Sequence, residues 1–190
     1  METGLIIGAD EFFGLTLCEY MMKEGLQVDI TLPEIHTEQR KKLLEERMMW
    51  LGRNDLIRVI DVQDSQETYD VIFIQSEDPD QREHIKAQQG MYRLLFTSEG
   101  DALKQHEPTI LLPDMFGPWT LDQEKRTCKD HSYFVEDVAK ALVKWVLNTN
   151  QRQEMIHHLK VESQTDVKQA EKIIIDWERQ NSAFFDKKQE

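Results

Sequence analysis

The amino-acid sequence predicts an α/β domain: a parallel sheet with helices on both faces, followed by a small helical C-terminal appendage. Three observations carry this. Leu5-Ile6-Ile7 is a short apolar run stopped at Gly8, and residues 14–24 then place Leu15, Leu17, Cys18, Met21 and Met22 at helical spacing before Val28-Asp29-Ile30-Thr31-Leu32 returns to strand character. Residues 69–74 are nearly all apolar, as a parallel strand buried on both faces should be. Beyond Pro113 the pattern changes to an irregular stretch and then to amphipathic helices.

The first 32 residues therefore read strand, turn, helix, strand, for which a right-handed parallel crossover is expected. Gly25 stops the helix and Pro33 the second strand. Residues 37–51 form a strongly charged helix with Leu43, Leu44, Met48 and Leu51 inward; Thr37 is its candidate cap, with Arg40 at the position where a capping box carries Glu. Strands follow at 56–60 and 69–74, a polar helix at 79–89, a strand at 92–97, a short helix at 101–106 and a strand at 109–112. Residues 114–132 are irregular. A helix at 134–147 turns Val138, Ala141, Leu142, Trp145 and Val146 inward. A short strand at 156–161 and a helix at 167–185, with Ala170, Ile173, Ile174 and Trp177 on one face, complete the chain. The organisation expected is a domain over 1–150 with an appendage over 151–190 packed on it.

With 39% hydrophobic and 31% charged residues the chain can build a core and is not a disordered one. Its net charge of −13 opposes nucleic acid and anionic membranes, and Arg40-Lys41-Lys42 is followed at once by Glu45 and Glu46. Cys18 lies on an apolar helix face and reads as a buried thiol. Cys128-x-x-His131 and His157-His158 each lack the second pair of ligands a metal site needs, so no metal is expected. No segment is long and apolar enough for a membrane span, and the N-terminus lacks a basic leader, so the expected location is the cytoplasm.

The first turn reads Gly8-Ala9-Asp10-Glu11-Phe12-Phe13-Gly14. A dinucleotide-binding turn needs one glycine for the bend, one for close approach of the pyrophosphate and one for helix-on-strand packing. Gly8 and Gly14 supply the first and last; Glu11 occupies the middle position. This turn resembles the Gly-x-x-Gly-x-x-Gly turn of the extended short-chain dehydrogenase/reductase (nucleotide-sugar epimerase) family. Val59-Ile60-Asp61-Val62-Gln63-Asp64 resembles that family's Gly-Asp-Leu-x-Asp stretch, where the Asp and the next residue flank the adenine. Tyr69-Asp70-Val71-Ile72-Phe73-Ile74-Gln75-Ser76 resembles its Asp-x-Val-Ile-His-Leu-Ala-Ala strand. Pro113-Asp114-Met115-Phe116-Gly117-Pro118 resembles its Arg-Pro-x-x-Val-Tyr-Gly-Pro loop, and Phe134-Val135-Glu136-Asp137-Val138-Ala139 its Val-Asp-Asp-Val-Ala helix start. The resemblance implies a Rossmann-like fold and a cofactor position formed by Gly8, Ala9, Asp10, Glu11, Phe12, Phe13, Gly14, Asp61, Val62, Gln75, Ser76 and Ser98.

The departures bear on function. The family's Tyr-x-x-x-Lys pair, in which the lysine lowers the tyrosine pKa for proton transfer, occurs nowhere in the chain, and Tyr20-Met21-Met22-Lys23 has the wrong spacing. Ser98 stands where the family's serine follows a strand, but only 101–106 separates it from the next strand, which implies loss of the catalytic helix. No catalytic residue is assigned. Glu11 would crowd and repel a pyrophosphate, with Asp10 adding to the field, while both carboxylates suit a helix N-terminus. Leu32-Pro33 stands where the ribose acid belongs, with Glu34 displaced. NAD(P) binding is expected to be weak or absent.

Two functions compete. One is a non-catalytic relative of the nucleotide-sugar epimerases, truncated and retained to bind a protein or a nucleotide-like small molecule, in a regulatory role or within a homodimer. The other is a small NAD(P)-dependent epimerase or reductase with non-standard catalytic residues. A purely structural subunit is a third alternative. Fold alone does not choose among them.

Overall fold

The first strand in the chain lies inside the sheet, with a neighbour on each side. Residues 1–75, 85–96, 108–148 and 155–185 are described by the computed structural model. β1 (Thr3–Ile7) is followed by α1 (Gly14–Lys23), β2 (Gln27–Ile30), α2 (Glu38–Leu51), β3 (Ile57–Val59), β4 (Thr68–Ile74), β5 (Lys86–Phe96) and β6 (Thr109–Leu112). β7 (Met115–Phe116), β8 (Tyr133–Phe134), α3 (Val135–Leu147), β9 (Ile156–His158) and α4 (Val167–Gln180) complete the order. The main sheet has seven strands in the order β3-β2-β1-β4-β5-β6-β9, parallel throughout.

β1 is apolar on both faces because it is hydrogen-bonded on both sides: Leu5 is in register with Asp29 of β2 and Ile72 of β4. Its residues alternate between two apolar clusters. Ile6 joins Val28, Ile30, Val71, Phe73, Ile110 and Leu112 beneath α1, α2 and α3. Leu5 and Ile7 join Ile72, Ile74, Val62, Tyr69 and Ile85 on the other face. The connections from β4 to β5 and from β5 to β6, on which helices of that second face were expected, fall largely at 76–84 and 97–107, outside the described residues.

α1 is buried along almost its whole length because it is covered twice, by the sheet and by α3. α1 and α3 share one sheet face, yet β1 to β2 and β6 to β9 step across the sheet in opposite directions. The two crossovers are therefore of opposite hand, against the strong preference for right-handed connections. α4 packs Ala170 and Ile174 on Phe116 and Phe134 of the β7–β8 pair. It is capped by Asp166, which accepts from the N–H groups of Lys168 and Gln169 at 3.0 and 3.3 Å. Asp137, buried in the first turn of α3, holds the approach to α4 by accepting from the Thr165 N–H at 2.6 Å and its hydroxyl at 3.0 Å.

Two expectations change. Residues 79–89 read as a polar helix, but Lys86–Phe96 is one eleven-residue strand. Its first half is polar, yet Lys86 and Ala87 run in register with Thr68 and Tyr69 of β4, and Ile85 is buried in the second cluster. Strand pairing overrides local composition here. Residues 79–84 and the helix expected at 101–106 lie outside the described residues. The segment read as an appendage supplies β9, which pairs with β6 (Thr109 with Ile156) and becomes the seventh strand. No helix among the described residues is long and apolar enough to cross a membrane.

Two predictions follow from this packing. Asp70 Oδ2 accepts from the N–H groups of Glu2 and Thr3 at 2.5 and 2.9 Å, pinning β1 to β4 at their shared start. These hydrogen bonds hold the Asp70 carboxyl below its ordinary value of 3.8. A depressed folded-state pKa contributes stability that is present above 3.8 and lost as pH falls through the folded value. Urea unfolding should show Asp70→Asn less stable than the native protein at neutral pH, with the difference closing in acid. Cys18 is fully buried, and burial pushes its thiol up to about 12, whereas Cys128 is only half-buried. A disulfide-exchange reagent should titrate one thiol in the native protein, Cys128, and both after unfolding.

Candidate functional site

The loop from β1 into α1 lies at the carboxyl end of β1, where the strand order switches between β2 on one side and β4 on the other, the place where open parallel sheets put their ligands. Gly8 has φ +73°, a left-handed value that glycine adopts without strain, and its N–H donates to Thr31 Oγ1 at 2.9 Å. Ala9 N–H donates to the Thr31 carbonyl at 2.8 Å, so the turn is stitched to the end of β2. Gly14 is a packing glycine: a Cβ there would stand 2.6 Å from Ala9 Cα and 2.4 Å from Gln75 Oε1. Phe12 and Phe13 point into the core. Both glycines play the structural roles their positions imply.

The two acids between them divide the work. Asp10 Oδ1 accepts from the N–H groups of Phe13 and Gly14 at 2.7 and 2.8 Å. The Asp10 carbonyl accepts from Leu15 N–H at 2.9 Å. The donors that a helix N-terminus offers to an anion are thus taken by the chain's own carboxylate. Glu11 was expected to share that capping, but its side chain goes elsewhere. It is 6% exposed, and its Oε1 accepts from Arg40 Nε on α2 at 2.7 Å. The Glu11 carboxylate raises the Arg40 pKa above its ordinary value. Its second oxygen, Oε2, is buried without a hydrogen-bond partner. Arg40, read from sequence as the odd residue of a capping box, is instead the counter-ion of the turn; Thr37 stands at the N-cap but its side chain makes no capping bond.

Arg47, two turns of α2 further on, is 3% exposed. It donates through Nη1 to the Glu11 carbonyl at 2.6 Å and through Nη2 to Thr16 Oγ1 at 2.8 Å. Sequence reasoning named Leu43, Leu44 and Leu51 on this face and missed Arg47, although residues 40, 43, 47 and 51 share one helical stripe. The rest of the expected cofactor set is spread around this point. Asp61 is exposed and precedes a single 3-10 turn, Val62–Asp64, in which Val62 is buried. Gln75 extends β4, and its Oε1 lies 3.4 Å from the Asp10 N–H. Ser76 and Ser98 lie outside the described residues. Leu32 and Pro33 are partly buried after the end of β2, and Glu34 is exposed. Among the described residues no cluster of His, Cys, Asp and Glu is suited to hold a metal ion.

Sheet order, turn glycines and the position of the turn define the class: a Rossmann-like α/β domain with the fold of the extended short-chain dehydrogenase/reductases. The structure resembles UDP-glucuronic acid 4-epimerase from Bacillus cereus in complex with NAD, with a TM-score of 0.59 at 13% identity over 95% of this chain and 83% of that one. It also resembles an aureusimine biosynthetic cluster reductase domain, at TM-score 0.51 and 13% identity over 88% and 69% of the two chains. Gre2 of Candida albicans in complex with NADPH gives TM-score 0.50 at 10% identity over 84% and 78%. Identities of this size speak to the fold alone. No family model matches the chain. In sequence it is 38% identical over 195 residues, 98% of this chain and 100% of the relative, to the uncharacterized protein YjaV of Bacillus subtilis (strain 168), and it belongs to the family of that protein.

The Glu11–Arg40 pair can be tested by itself. Removing Arg40 leaves a buried carboxylate without its cation, so Arg40→Ala should cost about 2 kcal/mol in urea unfolding. Glu11→Gln should recover part of that loss in the double variant, and a double-mutant cycle should return a coupling free energy of about 1 kcal/mol.

Proposed function

We propose that this protein is a non-catalytic binding protein built on the epimerase fold, in which the pyrophosphate position is filled from within. One observation carries the reading: Asp10 occupies the helix N–H groups of Phe13 and Gly14, while Glu11 lies sealed against Arg40 where a bare glycine would face the phosphates. A pyrophosphate brought to this turn would meet bonded donors and two carboxylates. Like charges at contact distance cost on the order of 1 kcal/mol each even when screened. The residues of the turn do not fit the group that this fold ordinarily holds there. The missing Tyr-x-x-x-Lys pair supports the same reading, because the proton transfer that accompanies hydride transfer has no donor of the family's kind.

The test is a calorimetric titration with NAD and with NADP. The native protein should give no saturable heat. Glu11→Gly removes bulk and one charge but leaves the Asp10 cap, so it should restore only weak binding. Asp10→Ala combined with Glu11→Gly should bind at least tenfold more tightly than the single variant, since both obstacles are gone. The double variant should also be less stable by about 1–2 kcal/mol through the lost cap and the added glycine. Tight binding by the native protein, with turnover of a nucleotide sugar, would instead establish the alternative of a small NAD(P)-dependent epimerase or reductase.

A further inference from the structure

A cleft of about 340 Å³ is lined by residues of α1, α2 and the loop after β7, and it adjoins the turn only through Arg47. Its lining includes Met22 and Leu51 as apolar floor, Trp50 and Trp119 as aromatic walls, and Arg47 and Lys23 as cations. Trp50 is 66% exposed, an unusual position for an indole with no further partner than Arg53 over its ring at 5.9 Å. Trp119 is fixed. Its backbone is left-handed at φ +65°, a conformation that a bulky residue adopts only when its surroundings impose it. Its ring is held between the Arg47 guanidinium at 5.0 Å and the Trp177 ring of α4 at 5.6 Å.

The charge of the lining does not cancel. The cleft holds two cations, Lys23 and Arg47, and a single carboxylate, Glu19. Glu19 gives Oε1 to Lys23 at 2.8 Å, which leaves Oε2 at 3.9 Å from Arg47, beyond hydrogen-bond reach. A nearly buried guanidinium therefore borders the cleft without a directly bonded carboxylate. Burial pulls the Arg47 pKa down to about 10, so it stays charged at neutral pH. In a chain of net charge −13, residues 40–58 alone carry six basic residues against three acidic ones.

We propose that this cleft is a binding site for a planar aromatic monoanion, a carboxylate whose ring packs against the indoles of Trp50 and Trp119 and whose charge is met by Arg47 and Lys23. The volume suits a small molecule, since ligand pockets start near about 300 Å³. The lining by itself carries one net positive charge, and Asp10 and Glu136 also act on Arg47 from outside it, so the cleft suits a ligand with no more than a single negative charge, while apolar floor with aromatic walls calls for a ring. No residue of the 8–14 turn lines the site, although Arg47 joins the two by its hydrogen bond to the Glu11 carbonyl, and the proposal does not depend on whether the turn binds a dinucleotide.

The experiment uses 2-naphthoate and its neutral counterpart 2-naphthamide as probes of the full chain, followed by calorimetry and tryptophan fluorescence. 2-Naphthoate should bind one-to-one and quench fluorescence, and 2-naphthamide should bind about tenfold more weakly, the scale of one charge-assisted hydrogen bond. Trp50→Ala and Lys23→Met replace surface side chains, so they leave the fold intact; each should weaken 2-naphthoate several-fold without changing the unfolding midpoint. NAD should leave the titration unmoved. The proposal is overturned by the absence of saturable binding, by equal affinity for acid and amide, by native affinity in both variants, or by competition from NAD.

Discussion

Three segments that are far apart in the chain meet at the guanidinium of Arg47: α2 itself, the β1–α1 turn with the start of α1, and the loop after β7. The guanidinium holds the carbonyl of the β1–α1 turn through Glu11 and the first part of α1 through Thr16, and it lies over the ring of Trp119 from the loop after β7. α2 itself has a nearly even mixture of charges and little apolar surface, so the pair of hydrogen bonds from Arg47 is what orients it on α1 as much as Leu43, Leu44 and Leu51 do. A buried charge is costly unless its hydrogen bonds are made. Holding Arg47 inside therefore forces the turn carbonyl, the Thr16 hydroxyl and the Trp119 loop into one arrangement. The shape of the acidic turn and the existence of the cleft are both consequences of that constraint.

The turn shows how a phosphate-binding geometry can be kept while its sign is reversed. Gly8 and Gly14 preserve the bend and the tight packing, and the strand order places the loop at the usual switch in the sheet. The positive end of α1 is still there, but an Asp10 carboxylate answers it from three residues away. Glu11 adds a second negative charge, which α2 neutralises through Arg40. The N-terminus of α1 is thus closed by contacts within the chain that link turn, α1 and α2.

Much of this was legible in the residues. The order strand, glycine, helix, strand at the start, the largely apolar β4, the strand stopped by Pro113 and the amphipathic α3 all follow from period and punctuation, which are local signals. What was not legible depended on distant partners. Asp10 and Glu11 look interchangeable as capping acids until Arg40, 29 residues later, claims one of them. Arg47 shares its stripe with three leucine positions, yet a charged residue on an apolar stripe is read outward unless its acceptors are known. The polar start of β5 has the composition of a surface helix, and only its register with β4 makes it a strand. The left-handed Trp119 follows a Gly-Pro pair that marks a turn without saying which residue carries the positive φ.

Because β1 lies inside the sheet, between β2 and β4, its second neighbour arrives late. β2 can pair with it once residue 30 has been made, but the other side stays open until β4 is complete at residue 74. During synthesis at about 5–20 residues per second this buried apolar strand spends seconds with one edge and one face unsatisfied. Pairing across tens of residues is slow compared with helix formation. This protein therefore depends, while it is being made, on keeping Leu5, Ile6 and Ile7 out of contact with other chains. Folding yield should be more sensitive to temperature and expression rate than the stability of the finished sheet would suggest.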